Sequence, residues 1–213
     1  MNAAILRIAL AMVFSVSAMA VSIVIGSGNP GNTGSDNVLF NDGSLSHSGT
    51  LVQGNFANEG LGFIVDFTSS SGNLQIEGNG GQAEVKGLSG NDPFTSLTFG
   101  LEADATFQKA IFNVDATVDG HMTLAVSYID AAGSPYEELV LLDADSQNFY
   151  NVSASDGARI TQIEISTLDS AFAAARQFRL GGFQTAQIPD TGWTAVLLGL
   201  SIAGLAFARR KMA

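Results

Sequence analysis

Cysteine is missing from all 213 residues, which excludes disulfides, thiolate metal sites and cysteine nucleophiles together. Its absence does not fix a compartment, since exported bacterial proteins often lack disulfides too. Histidine occurs only at His47 and His121, too few for a histidine-rich metal centre. Positive charge is scarce in the middle of the chain. Residues 21–188 carry 19 acids against five bases (Lys86, Lys109, Arg159, Arg176, Arg179), a formal −14. So acidic a body repels phosphate backbones, which argues against nucleic acid as a partner. Its carboxylates could hold divalent cations loosely through oxygen. The other four bases, Arg7 and the run Arg209-Arg210-Lys211, sit near the two ends.

Those ends read as addresses. "MNAAILRIALAMVFSVSAMA" has a basic residue, an apolar stretch from Ile8 to Val16, and small residues at Ala18 and Ala20. That is the pattern of a Sec signal peptide over 1–20, cut by signal peptidase to leave a flexible leader over 21–36. The competing expectation is an uncleaved anchor, because apolar character continues to Gly26. At the other end, Thr191–Ala208 is 18 residues without a formal charge, followed by Arg209, Arg210 and Lys211. This predicts a single transmembrane helix over 193–208 and a cytoplasmic basic tail over 209–213, with the body outside. Trp193 stands where an interfacial aromatic belongs. Ala195, Gly199 and Ala203 have helix-pairing spacing, which the ordinary abundance of small residues in such spans explains as well.

Ile188, Pro189, Asp190, Thr191 and Gly192, then "LLGLSIAGLAFA", then Arg209-Arg210-Lys211, resemble a PEP-CTERM sorting signal of the VPDSG type. Ile for Val and Thr for Ser are the departures. The resemblance implies an exosortase, a membrane-embedded cysteine transpeptidase, as processing partner. It also implies an exported protein of a bacterium that makes extracellular polysaccharide. The same letters are similar to the LPxTG signal of sortases, which would join Thr191 to peptidoglycan. Against that reading, the chain lacks a long wall-crossing spacer and the span begins directly after the motif. An unprocessed single-span protein is the third option.

Between these ends the hydrophobic period is two rather than 3.6. In "AIFNVDATV", Phe112, Val114, Ala116 and Val118 share a face, and "HMTLAVSYI" repeats the pattern with Met122, Leu124, Val126 and Tyr128. Asp119-Gly120 between them predicts a hairpin turn. Further strands are expected at 37–41, 62–67, 82–87, 94–101, 137–143, 147–153, 159–167 and 176–183. "DSAFAAAR" (169–176) offers one helical turn, capped by Asp169 or Ser170. The fold class expected is all-β: an antiparallel, jelly-roll-like β-sandwich over 37–184, joined by the linker and motif 185–192 to the span. This body also resembles β-sandwich modules found upstream of PEP-CTERM tails, through "NVLFND", "IVDFTSSSGNLQ", "FTSLTFGLEADATFQKAIFNVDA" and "RQFRLGGF".

Chemistry-bearing motifs are few. Gly26, Gly28 and Gly31 match G-x-G-x-x-G spacing, but Pro30 and a Gly/Asn/Ser run follow instead of a helix, so a dinucleotide site is not expected. Asp143, Asp145 and Asn148 are weak calcium candidates; an EF-hand is excluded because Asn148 and Ala154 stand where Gly and Glu are required. "GLSGN" fails as a nucleophile elbow. Glu137 and Glu138 would point to opposite faces of a strand, and Asp115 with Asp119 is the other conceivable carboxylate pair. Exposed aromatic platforms for sugar are limited to Tyr128, Tyr136 and Tyr150. The reading is a non-enzymatic envelope or matrix protein. Its alternatives are an adhesive module binding carbohydrate or Ca2+, and a secreted hydrolase using His121.

Overall fold

The computed structural model describes residues 22–185 other than 30, 32–33, 59–61, 79–82, 90–91, 104 and 130–135. The expected signal segment with Ala18 and Ala20, the motif Ile188–Gly192, the expected span and the basic tail lie outside the described residues. In chain order the strands are β1 Ser22–Ser27, β2 Asp36–Leu39, β3 Ser48–Gly49, β4 Leu51–Phe56, β5 Ile64–Thr68, β6 Leu74–Glu77 and β7 Glu84–Gly87. There follow β8 Ser96–Leu101, β9 Lys109–Ala116, β10 Gly120–Tyr128, β11 Tyr136–Leu142, β12 Asn148–Ser155, β13 Ile160–Ser166 and β14 Phe172–Gly181. Among the described residues there is no helix.

All pairings between these strands are antiparallel, and they build two layers. One layer runs β1-β12-β9-β14 and continues through β7 and β6 to β3. The other runs β4-β5-β8-β13-β10-β11. Four-residue β2 joins them, giving Asp36 and Asn37 to β14 and Val38 and Leu39 to β4. The result is a nearly closed sheet whose path ends at β1 and β11.

Alternation fills the space between the layers. Met122, Leu124 and Val126 of β10 are fully buried, as are Phe112 and Val114 of β9. Phenyl rings carry the contact across the layers. Phe178 of β14 meets Phe67 of β5 at 4.7 Å and Phe99 of β8 at 5.2 Å. Phe99 meets Phe112 of β9 at 5.3 Å, and the tilted geometry is the one aromatic quadrupoles favour.

Three local expectations are corrected. Asp119-Gly120 does not close a hairpin: β9 pairs with β12 and β14, β10 with β11 and β13. The turn is instead a corner between layers. Asp119 Oδ1 accepts the Ala144 N–H at 2.8 Å, and Thr117 N–H donates to the Ala171 carbonyl. A Cβ at Gly120 would come within 2.9 Å of Asp169 and Ser170, so a bare residue is needed there. The helical turn at 169–176 is absent. Phe172 opens β14 and pairs with Ala116, while Asp169 accepts the His121 N–H at 3.0 Å. Burial of Phe172 and Ala175 outweighs the helix propensity of the alanines. Finally, Ser22–Ser27, inside the segment read as a leader, forms β1 and pairs with β12 from Ser22↔Ser155 to Ser27↔Tyr150.

Candidate functional site

The register places both ends of the described chain at one pole. Ser22 pairs with Ser155; Lys109 pairs with Ser153 on one side and Gly181 on the other. The beginning of β1 and the end of β14 therefore share one end of their layer. Beyond β14, Gln184 and Thr106 exchange backbone hydrogen bonds of 2.8 and 2.9 Å. Phe183 rests against Phe56 at 4.7 Å and Phe63 at 5.5 Å, fixing the exit of the chain on the sheet. From Gln184 to Ile188 the chain has four residues, a reach of at most about 14 Å. To Trp193 it has nine, about 30 Å.

A groove of about 480 Å³ lies beside that exit, lined by Asn41, Asp42, Asn55, Asn58, Phe56 and Phe63 among others. Asn55 Oδ1 is buried there without a hydrogen-bond partner. Asp42 is held below the usual carboxylate range by the Ser44 hydroxyl and N–H.

At the opposite pole three loops meet. His121 Nδ1 lies 3.1 Å from Asp169 Oδ2, and both side chains are about half exposed. The His121 N–H, more than the imidazole, lowers the Asp169 carboxyl below its ordinary range. Asp143 Oδ1 accepts the Asp145 N–H and its Oδ2 the Ser146 hydroxyl, while Asn148 Oδ1 accepts the Asp143 N–H. Asn148 Nδ2 donates to the carbonyls of Val114 and Asp143. Of the three calcium candidates, Asp143 and Asn148 thus meet with their side-chain oxygens engaged in holding the β11–β12 turn, and Asp145 joins them through its N–H. Glu137 and Glu138 differ in exposure as strand alternation requires, and Asp115 turns to Arg176 while Asp119 caps Ala144. Tyr150 is buried, its phenol donates to the Leu141 carbonyl, and burial pushes its pKa up to about 12. Tyr136 remains 39% exposed. Gly26 belongs to β1, and among the described residues no helix follows it to receive a pyrophosphate.

On the outer face of the first layer, Arg176 of β14 spans two strands, reaching Glu84 Oε1 at 2.8 Å and Asp115 Oδ1 at 2.9 Å. Lys86 holds Glu77 at 2.7 Å and Glu84 at 2.9 Å. Burial raises Glu84, but Lys86 and Arg176 outweigh it and leave its pKa lowered. For Asp115, burial prevails over its single guanidinium partner and the pKa is raised. "EVK" shows in sequence that Glu84 and Lys86 share a face. Nothing in sequence places Arg176 beside them.

A second concavity, of about 420 Å³, opens between the ends of the sheet path. β1 (Ile25–Ser27) and β11 (Glu138–Leu141) wall it, and Gln147–Tyr150 line it as well.

Residues 187–212 match the VPDSG-CTERM motif model, so this segment is a PEP-CTERM-type sorting signal. Such a signal implies an exported, cell-envelope-associated protein. No curated protein matches the chain significantly. Among solved structures the chain is similar to a family 11 carbohydrate-binding module from Clostridium thermocellum in complex with a β-1,3-1,4-mixed-linked tetrasaccharide. That likeness has 11% identity and a TM-score of 0.34, covering 70% of this chain and 96% of that one.

Proposed function

We propose that this chain is a non-enzymatic, exported envelope protein: a jelly-roll-like sandwich delivered by Sec and sorted through its C-terminal signal by an exosortase. The observation that carries the reading is the VPDSG-CTERM match at 187–212. It also favours an exosortase over a sortase. The shared pole of Ser22 and Gln184 supports it, because a signal peptide before residue 21 and a span after residue 192 would both approach one membrane face. In this reading Ile188–Gly192 is the processing site, and Arg209, Arg210 and Lys211 stop the span at the cytoplasm. The test is fractionation of host cells with and without the exosortase. Loss of the enzyme should leave a longer form in the membrane fraction. Identical size and distribution in both strains would refute the assignment.

A second reading, saccharide recognition by the body, rests on the groove at the exit pole. Asn41, Asn55 and Asn58 offer amides beside the partly exposed Phe63 ring, the pairing of polar tips and apolar face that a sugar needs. A glycan array of the exported protein decides it; a flat response leaves the structural role alone.

A further inference from the structure

The cleft between β1 and β11 has walls made of backbone. Gly28 N–H donates to the Phe149 carbonyl, so in this unbroken register the even-numbered residues of β1 face β12. Ile25 and Ser27 therefore turn their N–H and C=O into the cleft. On β11, the Tyr150 phenol reaches the Leu141 carbonyl from the cleft side, so Leu141 and Leu139 face away from β10. Among the described residues no strand pairs with either edge. Leu139 and Leu141 are also 67% and 73% exposed, an apolar pair at strand spacing on a strand that natural sheets normally guard with charge or proline.

Charge fixes the complement. Glu137, Glu138, Asp143 and Asp145 lie on β11 and the turn after it, and β1, β10, β11, β12 and that turn contain no Lys or Arg. We propose that this cleft is a strand-acceptor site. Its guest is an extended peptide of a partner protein with alternating apolar and basic residues, which pairs with β11 and closes the gap toward β1. The backbone of Leu139 supplies the central hydrogen bonds, the exposed leucines take the apolar side chains, and Glu138 on the opposite face, with the turn acids Asp143 and Asp145, receives the cations. A volume of about 420 Å³ accepts a short strand segment rather than a folded element. The proposal does not depend on the exosortase reading, since it concerns the body alone.

The test uses the full chain in detergent and three probes: a capped peptide of alternating Val and Lys, of the seven-residue length of β11, the same peptide with its central Val replaced by Pro, and a neutral β-glucan oligosaccharide. Hydrogen-exchange mass spectrometry should show slowed exchange in residues 22–28 and 136–142 with the first peptide only. The Leu139→Pro variant removes an outward N–H while leaving the β10 ladder whole, and should weaken binding about tenfold, the worth of one hydrogen bond. If that variant loses the sheet, Leu141→Lys keeps the backbone and should weaken binding by repulsion. The site is refuted by equal binding of the proline peptide, which would mean charge alone. It is refuted as well by wild-type affinity in the folded variant, by protection of these segments with the oligosaccharide but not the peptide, or by no binding at all.

Discussion

Arg176→Met is the most informative perturbation of the sheet. The guanidinium makes two charge-assisted bonds, of 2.8 Å to Glu84 and 2.9 Å to Asp115, and joins β14 to both β7 and β9. The three side chains are 28%, 21% and 27% exposed, between the surface and buried regimes. Exposed pairs contribute about 0–1 kcal/mol, and breaking a fully buried pair costs about 3–5 kcal/mol. Arg176 Nε is also buried without a partner, a cost that methionine removes. The expected loss is therefore about 2 kcal/mol at pH 7. Its pH dependence has a definite sign. Glu84, with a lowered folded pKa, contributes stability present above its unfolded value of 4.5 and lost as pH falls through the folded value. Asp115, with a raised pKa, contributes in the opposite sense: its stability is present below 3.8 and lost as pH rises through the folded value. Removing Arg176 strands Asp115 at pH 7 and leaves Glu84 to Lys86 alone, whereas no carboxylate is left charged and stranded once both are protonated, so the loss should shrink toward pH 3. Adding Asp115→Asn to Arg176→Met should restore about half of it. Urea unfolding followed by far-ultraviolet circular dichroism measures all three. A loss below about 0.5 kcal/mol, or one unchanged between pH 7 and pH 3, would show the network to be a solvated surface contact.

Phe178→Ala should cost about 3–5 kcal/mol in the same assay, since Phe178 joins Phe67, Phe99 and Phe112 across the layers. Gly87→Ala should cost about 1–3 kcal/mol because its Cβ would run into the Asp92 carbonyl. Gly43→Ala, where a Cβ meets open space, should be close to neutral. Carboxyl-carbon NMR should find Asp169 titrating below the ordinary aspartate range, and an ordinary midpoint would contradict its hydrogen bond from His121 N–H.

The strands with clean alternation were legible: "HMTLAVSYI" became β10 and "RITQIEIST" became β13, each within a residue or two. What escaped was pairing. Asp119-Gly120 is a strong local turn signal, but locality cannot say whether the next strand lies alongside or in the opposite layer. That choice rests on contacts with Ala144 and Ala171, 25 and 54 residues away. β4 was hidden because Gly54 takes an inward position: a Cβ there would lie 2.5 Å from Val38 Cγ1, so the strand gives up a hydrophobic residue for close packing. β1 was read as part of a leader because it adjoins the segment expected to be a signal peptide. Of the sites, the sorting signal is linear and was readable letter by letter. The strand-acceptor cleft is made by two strands more than 100 residues apart, and only the fold brings them together.

The central claim is that the chain is cut at its C-terminal signal after export. Intact-mass measurement of the protein from a host with an active exosortase tests it directly. The mature chain should end within or close to Ile188–Gly192, without Arg209-Arg210-Lys211. A mature protein from that host still ending at Ala213 would contradict it.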